Sequence, residues 1–166
     1  MHNDASVLLA DDSEEDGLLI RHAFQKAGIP NPLHIVTSCE EAISYLSGSR
    51  GYSNREEHPL PHLLLLDLRM QGLDGFELLR WVRHRPGLET LPIVVLTSSH
   101  KALDMNEAYR LGANSFLLKP NDLQGLIELA RALDRYWLNQ GNTPDPSRNP
   151  APSPERHNLR QPNSLS

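Results

Sequence analysis

The chain has 166 residues, 39% hydrophobic and 22% charged, with a net charge of −5. That length suits one domain of the commonest size, about 100 to 150 residues, with some chain to spare. No apolar run approaches the roughly 20 residues that cross a bilayer, and the N-terminus MHNDASVLLADD lacks the basic start of a signal peptide. The single cysteine, Cys39, excludes an intrachain disulfide and a cysteine-based zinc site. These features predict a cytoplasmic protein without a membrane segment, and the scattered basic residues disfavour direct nucleic-acid binding.

Short apolar runs alternate with longer segments of helical period. Ser6 to Ala10 is the first run. Ser13 then opens a helix whose first turn is acidic (Glu14, Glu15, Asp16), with Leu18, Leu19, His22, Ala23 and Lys26 at helical spacing and Gly28 as its stop. Leu33 to Val36 is the second run, followed by a helix with a Ser38/Glu41 capping box that ends near Gly48. The connection GSRGYSNREEHPLP, residues 48 to 61, is long and leads to the third run, Leu63 to Leu66. As a helix-to-strand connection it is expected at the N-terminal edge of the sheet, away from the chemistry.

Asp74 starts a third helix, with Phe76, Leu79 and Val82 on one face and Pro86 after it. Ile93 to Leu96, a helix over 101 to 111 ending at Gly112, Phe116 to Leu118, and a helix over 121 to 138 complete the series. Five strand-plus-helix units with near-continuous apolar strands predict an α/β fold: a doubly wound, five-stranded parallel sheet with right-handed crossovers. From Asn139 to Ser166 the composition shifts to Pro, Asn, Ser and Gln, with six of the 13 prolines, and predicts a disordered tail. The domain therefore spans 1–138, its ordered core 5–138, and the tail 139–166.

In open α/β sheets ligands bind beyond the carboxyl ends of the strands. Strand one ends in Asp11 and Asp12, strand three in Asp67, strand four in Thr97 and Ser98, and strand five in Lys119 and Pro120. Three converging carboxylates repel one another and call either for raised pKa values or for a cation; a divalent ion is the simpler answer, and an oxygen-only donor set favours hard Mg²⁺. With the charge screened, one carboxylate can attack phosphorus, while a lysine and a hydroxyl serve the phosphoryl oxygens. Asp67, Lys119 and Thr97 fit those roles.

These residues resemble the receiver domain of two-component response regulators over about residues 5 to 138. The likeness rests on the DD pair at 11 and 12, D-x₄-G-x-D-G from Asp67 to Gly75, TSS at 97 to 99 and KP at 119 and 120, with 30 residues from Asp67 to Thr97 and 22 from Thr97 to Lys119. The resemblance implies a flavodoxin-like receiver fold and Asp67 as phosphoacceptor. It implies Mg²⁺ on Asp11, Asp12, Asp67 and the Arg69 carbonyl, and Lys119, Thr97 and Ser98 around the phosphoryl group. It also implies a cis Lys119–Pro120 bond and a switch aromatic at Phe116, 19 residues after Thr97. The protein it describes accepts a phosphoryl group from a sensor histidine kinase, catalyses only that transfer and its hydrolysis on itself, and signals by protein contact in a phosphorelay.

Three features depart from the family pattern. Phe116 stands where tyrosine is frequent, and Gln71 where proline is usual four residues after the acceptor. The third, the 48 to 61 insert, together with the Gly-Ala-Asn at 112 to 114, resembles the subgroup associated with phytochrome-type histidine kinases. A magnesium-dependent hydrolase with an aspartyl nucleophile would carry D-x-D-x-T after its first strand, whereas the acceptor here lies on the third, in DLRMQ. The last helix carries a wide apolar stripe, including Leu126, Leu129, Leu133, Tyr136 and Trp137. Its width predicts a partner surface, most simply of a homodimer.

Overall fold

Strands β1 (Val7–Ala10), β2 (Leu33–Val36), β3 (Leu63–Leu66), β4 (Ile93–Thr97) and β5 (Ser115–Leu118) alternate with helices α1 (Glu14–Lys26), α2 (Cys39–Ser47), α3 (Gly75–His84), α4 (Ala102–Arg110) and α5 (Leu123–Leu133). The computed structural model describes residues 5–70, 74–98 and 101–138. The expected tail, Gln71, Gly72 and Ser99 lie outside the described residues. All strands are parallel, in the order β2-β1-β3-β4-β5. The sheet is thus the doubly wound one that the sequence pattern predicts. Val7 to Ala10 of β1 and Leu63 to Leu66 of β3 are buried on both faces, which is why they read as unbroken apolar runs.

Helices α2, α3 and α4 cover one face around Leu8, Leu64, Leu66 and Val95, and α1 and α5 cover the other around Leu9, Leu65, Val94 and Leu96. Caps fix the helix starts. Ser13, Ser38, Asp74 and Asp122 each accept a hydrogen bond from the backbone N–H three residues on. The capping box of α2 is displaced by one residue: Ser38 accepts from Glu41 N, but the Glu41 carboxylate accepts from Thr37 N.

Four expectations change. The buried face of α1 is Gly17, Ile20, Ala23 and Phe24, while Leu18 and Leu19 are 65% and 45% exposed. Gly17 sets that rotation, because its missing Cβ lets the helix lie on Ile35: a Cβ there would meet the Ile35 side chain at 3.3 Å. The long insert does not stay at the N-terminal edge of the sheet. Arg55 binds the last carbonyls of α2, but the Tyr52 hydroxyl donates to Glu41 in that helix's first turn, so the insert runs along α2 beside β2.

The stripe on α5 is largely core. Leu126 and Leu133 are 5% and 2% exposed, Leu129 and Trp137 are half-buried against the same cluster, and only Tyr136 is exposed. Its width is explained by α1, which packs on α5 as the sheet does. The Lys119–Pro120 bond, finally, is trans, as are all peptide bonds among the described residues. The cis form of an X–Pro bond lies about 0.5–1 kcal/mol above trans, so trans holds unless the surroundings impose the other. Pro120 packs closely on Gly125, where a Cβ would fall 2.7 Å from the proline side chain.

Candidate functional site

The strand order reverses between β1 and β3, the switch point at which an open α/β sheet has its binding crevice, outside the carboxyl ends of these two strands. Their register, Val7 against Leu63 through Ala10 against Leu66, places Asp11 and Asp67 side by side one residue further on. Asp67 N donates to the Ala10 carbonyl. Asp11 is fully buried, Asp67 is 6% exposed, and Asp12 faces solvent. Each of the three offers a carboxylate oxygen within 4.8 Å of the others. An all-oxygen group of this size suits a hard divalent cation.

Lys119, one residue beyond β5, reaches across this cluster. Its Nζ donates to Asp11 Oδ2 at 2.8 Å, Asp67 Oδ2 at 3.1 Å and Asp16 Oδ2 at 2.8 Å. The other Asp11 oxygen accepts from Ser13 N at 2.9 Å, and the other Asp67 oxygen from Arg69 N at 3.0 Å. Burial pushes the Asp11 carboxyl above its ordinary range against the pull of Lys119 and Ser13. For Lys119, burial works against the charge, but the hydrogen bonds to Asp11 and Asp16 and the charges of Asp67 and Asp11 outweigh it and raise the ammonium. A single amine thus bridges Asp11, Asp16 and Asp67, with room in the charge balance for a cation.

A close approach behind Asp67 fixes the acceptor's peptide. A Cβ at Gly75 would lie 2.6 Å from Leu68 Cα and 2.9 Å from the Asp67 carbonyl oxygen, so α3 starts directly on the residue after the acceptor. Thr97 is fully buried at the end of β4, its carbonyl accepting from Lys119 N, and Ser98 beside it is exposed. Phe116 is fully buried in the core beneath α4, and its N–H donates to the Tyr109 hydroxyl of α4 at 3.1 Å.

The structure thus brings Asp11, Asp12, Asp67 and Lys119 together at one crevice and puts Thr97 and Ser98 at the neighbouring strand end. Three further residues belong to this region and stand out little in the sequence. Asp16 has there the plain role of an acid complementing the helix dipole. Its place three residues after the cap was the available signal, since Cα–Cβ bonds lean toward a helix N-terminus and hence over the loop from β1. Asp104 of α4 pairs with the Arg69 guanidinium at 2.6 Å. Tyr109 had no sequence signal, because only the crossing of α4 over β5 brings it to Phe116.

A parallel β2-β1-β3-β4-β5 sheet with an acid triad and a strand-end lysine is the architecture of a phosphoryl-accepting signalling domain. The response regulator receiver domain family matches residues 7–131, and the chain belongs to that family, which works in two-component signalling. Among its relatives is Response regulator Rcp1 of Synechocystis, 33% identical over 132 residues, with 80% of this chain and 88% of the relative covered. Similar solved structures are the Mn(2+)-bound form of Rcp1, with a TM-score of 0.74 at 31% identity over 85% of this chain and 99% of that one, and the phosphorylated cyanobacterial phytochrome response regulator RcpA, with a TM-score of 0.77 at 29% identity over 86% and 99%. None of the described helices is long and apolar enough to cross a membrane.

Proposed function

We propose that Asp67 accepts the phosphoryl group of a phosphohistidine on a sensor histidine kinase. The observation that carries this reading is the Lys119 ammonium between Asp11 and Asp67, in the crevice where β1 and β3 end. An Asp67 oxygen attacks phosphorus. The new O–P bond replaces the N–P bond, and the departing imidazole keeps the electron pair of that bond and ends with its proton from solvent. Mg²⁺, suited to the oxygen donors of Asp11, Asp12, Asp67 and the Arg69 carbonyl, would supply charge neutralisation for the phosphoryl oxygens. Lys119 donates to one of those oxygens, and the hydroxyl of Thr97, with Ser98 next to it, to another.

Drawing Thr97 toward the phosphoryl group biases how Phe116 packs beneath α4, and through it the α4 and β5 surface that a partner reads. Since Phe116 already lies in the core, the change is a repacking inside the protein. Similarity to the cyanobacterial phytochrome response regulator RcpA supports a phytochrome-type kinase as donor. The receiver unit is taken as 1–138, with 139–166 as a tail, acting in the cytoplasm on no substrate but its own aspartate. A homodimer, if built on α5, rests on Tyr136 and the exposed flanks of Leu129 and Trp137.

The test is intact-mass spectrometry after incubation with acetyl phosphate and Mg²⁺, beside Asp67→Asn and a metal-free control. One added phosphoryl group on the wild type with metal, and on neither control, is expected. A wild type that stays unlabelled under conditions that label another receiver overturns the reading in favour of a constitutive binding module.

A further inference from the structure

We infer that Asp16 is a positioning residue for phosphoryl transfer, holding the Lys119 ammonium over the acid cluster throughout the cycle of Asp67; the inference rests on the phosphoacceptor reading above. An ammonium has three N–H donors. Three carboxylates surround this one at 2.8, 2.8 and 3.1 Å, in a site that leaves the lysine side chain 10% exposed. Two of the three change during the reaction: Asp67 turns one oxygen into the bridging oxygen of an acyl phosphate, and Asp11 belongs to the group that suits a cation. Asp16 belongs to neither, so it is the lysine partner that the chemistry leaves unaltered.

The local fold presets its aim. Asp16 N donates to the Ser13 hydroxyl at 3.1 Å, and Ser13 N donates to Asp11 Oδ1 at 2.9 Å, so a single serine fixes the spacing between two of the lysine's partners. A carboxylate placed only to complement the helix dipole has no need of this contact, and Glu14 and Glu15 in the same turn supply that complement. Without Asp16 the ammonium divides itself between Asp11 and Asp67 alone. It then binds more closely the two carboxylates that have to turn toward the cation and the phosphorus.

The test compares wild type, Asp16→Asn and Asp16→Glu for their rates of labelling by acetyl phosphate, and for Mg²⁺ affinity by isothermal titration calorimetry. Asp16→Asn is repeated in a Lys119→Met background. Losing an outer residue that orients a ligand or catalytic group costs about 10- to 100-fold, and Asp16 is half-exposed, so a loss near the lower figure is expected for Asp16→Asn in rate, with weaker Mg²⁺ binding. Asp16→Glu, which keeps the charge, restores most of both. In the Lys119→Met background the same change moves Mg²⁺ affinity by less than about twofold, since the two residues act as a unit.

Equal rates in wild type and Asp16→Asn overturn the inference. So does a Mg²⁺ loss that is just as large without the lysine, because Asp16 would then act through overall charge or helix stability. A wild type that takes no phosphoryl group overturns the acceptor reading itself, and Asp16's role with it.

Discussion

Two semi-buried cations organise two regions of this molecule, and they are used in opposite ways. Arg55, in the insert, donates to the neutral carbonyls of Tyr45, Leu46 and His58 at 2.9 to 3.1 Å, where the dipole of α2 is negative. Around it the Tyr45 hydroxyl donates to the Pro59 carbonyl and the Tyr52 hydroxyl to Glu41. The Arg55 guanidinium meets fixed main-chain acceptors, and the Glu41 carboxylate fixed donors in Thr37 and Tyr52. Lys119 instead serves three carboxylates that repel one another and suit other partners. A settled network holds a segment in place, while an over-subscribed one stays poised to rearrange when a cation or a phosphoryl group arrives.

The largest expected effect breaks the second network. Lys119→Met should lower the rate of labelling by acetyl phosphate by about 100-fold or more with the fold retained by circular dichroism, as for loss of a donor to developing charge. A rate within a few-fold of wild type would erase the contrast. Arg55→Met tests the other side. Urea denaturation should show a loss of about 2 to 3 kcal/mol from three bonds worth about 1 kcal/mol each, with the labelling rate unchanged; a slowed rate would tie the insert to the acceptor site.

Asp11 gives the comparison a pH axis. Because burial raises its carboxyl in the folded state, the folded protein binds that proton more readily than the unfolded chain. This contribution is fully present below the unfolded value, about 4, and is lost as pH rises through the folded one. In EDTA, the stability increment from this group should therefore grow as the protein is acidified from neutrality, and Asp11→Asn should flatten that part of the urea-midpoint profile. The smallest effect lies in the settled network. Tyr52 is pushed up to about 12, first by its hydrogen bond to Glu41, so its folded state keeps the proton where an ordinary tyrosine near 10 has lost it. Ultraviolet titration should show late tyrosinates from Tyr52 and from Tyr45, which burial also raises, and Glu41→Gln should bring forward the one at Tyr52.

How far the sequence went depended on what each signal measures. The inner strands β1, β3 and β4 were legible because double burial writes itself as apolar runs, and the acceptor site because Asp11, Asp12, Asp67 and Lys119 follow strands directly. Contacts between elements were not. The rotation of α1 depends on Gly17 meeting Ile35, and the covering of Leu126 and Leu133 depends on α1, neither of which a periodicity within one helix contains. Asp16 escaped for a related reason: its partner is 103 residues away, and its position in a first turn already had a sufficient local explanation. The lysine–proline bond was carried over from the resemblance alone, and no local signal in this chain specified its isomer.

The hydrogen bond from Phe116 to Tyr109 bears on the outer edge of the sheet. β5 is an outer strand, and Lys119 N points to β4, so the two-residue alternation turns the Phe116 N–H outward. An exposed outer strand invites another chain to add to the sheet by main-chain pairing. The tyrosine hydroxyl of α4 occupies one of the donors that such an addition would use. A strand arriving at this edge therefore meets a main-chain donor already engaged, which works against growth of the sheet into a filament.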